Sequence, residues 1–245
     1  MKDCRMLLNC DLGEFEGEIT DSADLEIIPL IDMANVACGF HAGSSRTMDA
    51  VARLAAKHGV KIGAHPSFND RENFGRKHQE LSSMEVTGIV LQQIDELQRV
   101  TQPLGLNVDY VKPHGALYHA MMAEENVFRA ILTAIQSRPS LSQLMIFSTP
   151  RNGRYAAIAA EYGVSLLYEG FADRAYNENG MLVPRSVEGA VITDLDAVKS
   201  QVDLLKGGKV KAQDGTVLNL SIDTICVHGD TPNALKLIRR IREWL

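Results

Sequence analysis

Histidine closes or nearly closes four short apolar runs of this 245-residue chain, at His41, His65, His114 and His228. Aspartate ends two others, at Asp11 and Asp173, and Asp230 follows His228 by two. Imidazole titrates near neutral pH and binds metal ions, so such a group suits proton transfer or coordination. Side chains alternate along a strand, so residues two apart share a face. That pairs Asn9 with Asp11, Lys112 with His114, Glu169 with Asp173, and His228 with Asp230. A lysine near the end of a buried strand is costly without an anionic partner, which marks Lys112 as functional. Ala37 and Gly39 lie beneath His41, and Gly63 beneath His65. Small residues there imply room for a ligand. Asp173 and Arg174 read either as a site pair or as a surface ion pair, and Glu14, Glu16 and Glu18 as a solvated acidic loop or as part of the site. His58, His78 and His119 read as ordinary surface or hydrogen-bonded residues.

Elements that must position these residues follow from periodicity. Seven apolar runs span Leu7–Asp11, Ala34–His41, Val60–His65, Val108–His114, Leu144–Thr149, Val164–Asp173 and Ile222–Asp230. Amphipathic stretches separate nearly all of them, the pattern of a repeated β-α unit with a parallel sheet. In parallel barrels the chemistry lies where the strands end, which is where the polar residues crowd here. Ser44 or Ser45 caps a helix ending at Gly59, and Ser82 with Glu85 has capping-box spacing for a helix to about Val100. Further helices are expected at Glu124–Ser137, Arg151–Tyr162 and Asp194–Leu205, and another behind Thr231 and Pro232. Asp214-Gly215 predicts a hairpin within Lys209–Leu220. No linker or low-complexity segment interrupts the chain, so one domain over residues 1–245 is expected.

Composition narrows the function. A formal net charge of −6 argues against nucleic acid or an anionic membrane as partner. No apolar run approaches the ~20 residues that span a bilayer, and no signal-peptide pattern opens the chain, so a cytoplasmic location is expected. Cys4, Cys10, Cys38 and Cys226 form no CxxC pair and read as reduced, mostly buried thiols. Neither a Gx4GK[ST] loop, a GxGxxG after a strand, nor a GxSxG elbow is present.

The strings LNCDLGE (8–14), NVACGFHAG (35–43), GAHPSF (63–68), FGRK (74–77), VKPHGALY (111–118), EGFADRAY (169–176), LVPR (182–185) and CVHGDTPNA (226–234) resemble the LamB/YcsF family. They run in order across nearly the whole chain. Ser44-Ser45 after CGFHAG and Asn73 before Phe74 depart from that family's pattern. The resemblance implies a distorted β/α barrel of the glycoside hydrolase/deacetylase type. It also implies a role as the A component of a bacterial 5-oxoprolinase, which opens the lactam of 5-oxo-L-proline to L-glutamate with ATP, alongside subunits B and C.

That chemistry needs a base for water, a donor for the leaving nitrogen, and cations for phosphate and carboxylate. The expected assignment makes Asp11 the base, with His114 moving protons and Lys112 and Arg174 holding developing charge beside Asp173. Asn9, His41, His65, His228 and Asp230 would hold the substrate, and Arg185 would pair with its carboxylate. Two other readings stay open. Asp11, His41 and His65 also fit a divalent-metal site of an amide hydrolase working without ATP. A non-catalytic paralogue that only docks with partner subunits is the third.

Overall fold

The computed structural model describes residues 5–227 and 234–245, so the expectations for His228, Asp230, Thr231, Pro232 and Cys4 lie outside the described residues. All seven expected runs contribute strands: β1 (Leu7–Leu12), β2 (Met33–Ala37), β3 (Lys61–His65), β4 (Tyr110–Val111), β5 (Gln143–Phe147), β6 (Ser165–Phe171) and, after a hairpin, β9 (Thr224–Val227). The hairpin strands are β7 (Lys209–Lys211) and β8 (Val217–Asn219), which pair antiparallel around Asp214-Gly215. The other seven close a parallel barrel in the order β1-β2-β3-β4-β5-β6-β9, with β9 pairing back onto β1.

Helices α1 (Asp24–Ile27), α2 (Ser45–His58), α3 (Ser83–Thr101), α4 (Gly115–Ala123), α5 (Glu125–Gln136), α6 (Asn152–Glu161), α7 (Leu195–Lys206) and α8 (Ala234–Trp244) complete the unit. Ser44 caps α2 in a reciprocal box with Thr47, and Gly59 ends it in the left-handed conformation (φ 68°). The serine that departs from the family pattern therefore serves the helix start. Ser82 and Glu85 form the second box, at α3. Helix α4 was not expected: Ala116, Leu117, Tyr118, Ala120 and Met121 are all buried, which erases the amphipathic period.

Strand alternation fills the barrel in layers. At the N-terminal end Met33, Tyr110 and Met145 pack together with Leu7 and Leu167. Next come Asn9, Asn35 and Gly63, on neighbouring strands β1, β2 and β3. The space beneath His65 is not vacant, contrary to the expected pocket there. A Cβ on Gly63 would lie 2.2 Å from the Tyr110 ring, so the missing side chain admits that ring instead of a ligand. Tyr110 is fully buried and donates to Asn35 Oδ1 at 2.7 Å. Beneath the site lies an aromatic plug capped by amides.

Candidate active site

Lys112 extends the line of β4 into the barrel, and three other strands supply its neighbours. Its Nζ donates to Asp11 Oδ1 at 2.8 Å, Asn9 Oδ1 at 3.4 Å and Cys226 Sγ at 3.3 Å. Glu169 Oε1 lies 2.8 Å away, a contact of charge rather than of directed hydrogen bonding. Burial alone would push the lysine down, but Asp11, Cys226 and Glu169 outweigh it and hold the ammonium well above its ordinary value. Glu169 is itself fully buried and accepts from Tyr118 Oη of α4 at 3.0 Å. Asn35 donates to both Asn9 Oδ1 (2.8 Å) and Asp11 Oδ1 (2.7 Å), and Asn9 donates to Thr224 Oγ1 (3.0 Å). Asp11 is thus fixed from two sides while its other oxygen reaches towards His65 Nε2, 3.4 Å away.

The three described site histidines converge beside this network. His65 ends β3 and His114 precedes α4, and their Nε2 and Nδ1 atoms are 3.0 Å apart. The His41 ring stacks on that of His114, with centroids 3.9 Å apart and planes 4° from parallel. Glu14, two residues past β1, brings Oε1 to 3.1 Å from His41 Nε2 and 3.5 Å from His114 Nδ1. One ligand atom from each of Glu14, His41, His65 and His114 lies within 4.8 Å of all the others, a group able to hold a metal ion. Burial and the neighbouring histidines push His114 down to about 3 and His41 further still, so both rings are neutral in the fold. The expected metal triad is redrawn by this geometry. Glu14 stands with the histidines, whereas Asp11 commits an oxygen to Lys112.

A cavity of about 450 Å³ opens over both groups. Asp11, Lys112, His65 and His114 line it together with Arg174 and Arg185. Burial and then nearby Arg185 push the Arg174 guanidinium below its ordinary value, so an anion between the two cations would be stabilised. Arg174 is oriented by the carbonyls of Val183 (2.7 Å) and Ala190 (3.3 Å). Asn9 and His41 do not line the cavity; they contact Lys112 and His114, which do. Asp173 is buried and does not line the cavity, although its carbonyl anchors Ile192.

Glu14 is ambiguous in the sequence, and Glu169, Tyr118 and His119 are not among the site residues expected from it. His119, set aside as an ordinary residue, lines the cavity. The signal for Glu169 was available: a carboxylate inside the buried run SLLYEGF carries the same desolvation cost that singled out Lys112. Cys10, Cys38 and Cys226 are buried free thiols, as expected, and burial pushes Cys38 up to about 12. No helix among the described residues is long and apolar enough to cross a membrane.

The profile of the LamB/YcsF family matches residues 6–245. A protein of Vibrio cholerae serotype O1, named as the A component of 5-oxoprolinase, is 45% identical over 241 residues, covering 97% of this chain and 96% of its own length. A Pseudomonas fluorescens protein of the same name is 42% identical, with 98% and 97% covered. Among solved structures, the lactam utilization protein from Thermus thermophilus superposes with a TM-score of 0.88 at 40% identity, over 98% of this chain and 95% of that one.

Proposed function

The chain belongs to the LamB/YcsF family, and from that premise we propose that it opens the ring of 5-oxo-L-proline to give L-glutamate. We further propose that ATP drives the reaction and that this chain works as the A component with subunits B and C. The carrying observation is the cavity itself. Its lining joins a carboxylate, a fixed ammonium, imidazoles and two guanidiniums. That is acid-base machinery facing an anion site, the set a lactam bearing a carboxylate requires.

A five-membered lactam is a poor electrophile. Transfer of the terminal phosphoryl group of ATP to the amide oxygen yields ADP and an activated imidate. Water adds to the ring carbon as Asp11 takes its proton. The carbon-nitrogen bond then breaks as Asp11 returns that proton to the nitrogen, and a second water converts the acyl phosphate to glutamate and phosphate. Lys112 orients Asp11 and offers fixed positive charge to the developing oxyanion. Arg185 at the mouth pairs with the substrate carboxylate, and Arg174 with the phosphoryl group. The chain carries no common nucleotide motif, so the partner subunits are assigned a share in handling ATP.

Glutamate release from 5-oxoproline tests this, with the chain alone and with subunits B and C, each with and without ATP. Turnover confined to the full set with ATP is the expected result. Absence of turnover in every mixture would overturn the reading.

A further inference from the structure

We propose that Glu14, His41, His65 and His114 form a site for one divalent transition-metal ion, built from three imidazole nitrogens and one carboxylate oxygen. The argument rests on where the ring protons must be. His65 Nδ1 lies 2.7 Å from the Lys112 carbonyl, and His114 Nε2 lies 2.9 Å from the Phe74 carbonyl. A carbonyl only accepts, so both nitrogens carry hydrogen. His41 Nδ1 is 3.0 Å from Ser67 Oγ, whose own hydroxyl donates to the Phe68 carbonyl at 2.9 Å, so this nitrogen is a donor too. The second nitrogen of each ring faces away from these partners, and it is these second nitrogens that converge.

The two closest contacts among them then bring acceptor against acceptor: His65 Nε2 on His114 Nδ1 at 3.0 Å, and His41 Nε2 on Glu14 Oε1 at 3.1 Å. Such contacts persist only with positive charge between them. One proton serves one contact; two protons must crowd beside rings stacked at 3.9 Å. A single cation serves all four atoms. Imidazole nitrogens about 2.0–2.1 Å from zinc, arranged tetrahedrally, are separated by roughly 3.4 Å, within the spread seen here. The donor set suits Zn²⁺ or a neighbouring first-row ion rather than Ca²⁺ or Mg²⁺.

The surroundings agree. Every ligand imidazole is held through its far nitrogen by a carbonyl or a hydroxyl, the outer shell that orients metal-binding histidines. Phe74 takes a left-handed backbone (φ 55°), unusual for a bulky residue, in the segment that presents its carbonyl to His114. Gly75 follows at φ 66°, and a Cβ there would lie 2.9 Å from both His114 Cδ2 and His41 Cβ. This segment closes against the ligands. Glu14, His65 and His114 all line the cavity, so the ion would be reached from it.

The site needs none of the ring-opening chemistry, so its test uses no substrate. The purified chain is stripped with chelator, then titrated with Zn²⁺ and Co²⁺, following calorimetric stoichiometry and the visible Co²⁺ spectrum. Uptake of one equivalent, with a spectrum of nitrogen-rich coordination, is expected. His65→Gln and Glu14→Gln, shown folded by circular dichroism, should each weaken binding by more than the ~10–100-fold typical of losing an outer partner such as Ser67. His58→Gln, at the far end of α2, should bind like the parent. A stripped parent that takes up neither ion, or equal loss in the His58 variant, would overturn the proposal and leave a cluster bridged by protons.

Discussion

The lysine-centred network and the histidine-centred cluster share a wall at Asp11 and are built on opposite plans. Around Lys112 a donor meets acceptors throughout, with Asp11, Asn9, Cys226 and Glu169 gathered from three strands of the barrel interior. Around His114 acceptor meets acceptor, on residues at or beyond strand ends. The first is a charged core completed by the chain itself. The second, among the described residues, gathers acceptors that a cation would join. Burial therefore does not distinguish structural polarity from chemical polarity; the matching of donors to acceptors does.

Removing the cation of the completed group should have the largest effect. Lys112→Met strands two buried carboxylates and should cost about 3–5 kcal/mol of stability, read by urea unfolding, together with all turnover. Adding Glu169→Gln should recover part of the stability and none of the activity; full recovery of both would erase the distinction. Asp11→Asn touches both groups at once. It should remain folded and lose ~10²–10⁴-fold in kcat, the scale of general-base catalysis, and a normal rate would retire Asp11 as the base.

Gly75→Ala strikes the histidine side alone. Its clash and positive φ should cost about 1–3 kcal/mol by thermal unfolding, while Lys112 keeps its partners. The pH profile separates the groups further. His114 moves from an ordinary 6.5 to about 3, so below pH 6.5 the unfolded chain binds a proton that the fold refuses. Stability of the metal-free protein should fall as pH drops from about 6.5 towards 3, by up to ~1.4 kcal/mol per pH unit for this ring, and stay level above. His114→Gln should remove its own share of that slope in pH-dependent unfolding and leave the share of His41. Cys226→Ala should be the mildest change, at about 1 kcal/mol with kcat within a few-fold, because Lys112 keeps its carboxylates.

Much of this was legible in the sequence, for a physical reason. A parallel strand buried on both faces is a continuous apolar run, so the seven runs stood out, and a charge at a run's end is costly enough to announce itself. Lys112, Asp11, His65 and His114 were found that way. Glu14 was obscured by Glu16 and Glu18, which are solvent-exposed and pair with Arg71 and Arg46. Helix α4 hid because it is apolar on every side. Neither the Tyr110 ring in the notch of Gly63 nor the proton positions on the imidazoles follow from one-dimensional spacing, since each depends on a partner from another strand.

Closure of the barrel by β9 has a consequence in time. Asn9 meets Thr224 across 215 residues, and Cys226 reaches Lys112 across 114. During synthesis β1 emerges with one edge open and keeps it open until β9 has left the ribosome. Contacts of such long range slow folding and leave unpaired edges exposed to other chains. The shell around the buried lysine is accordingly finished by the last barrel strand to be made. Nascent chains arrested before residue 224 should be open to protease where the released protein is not.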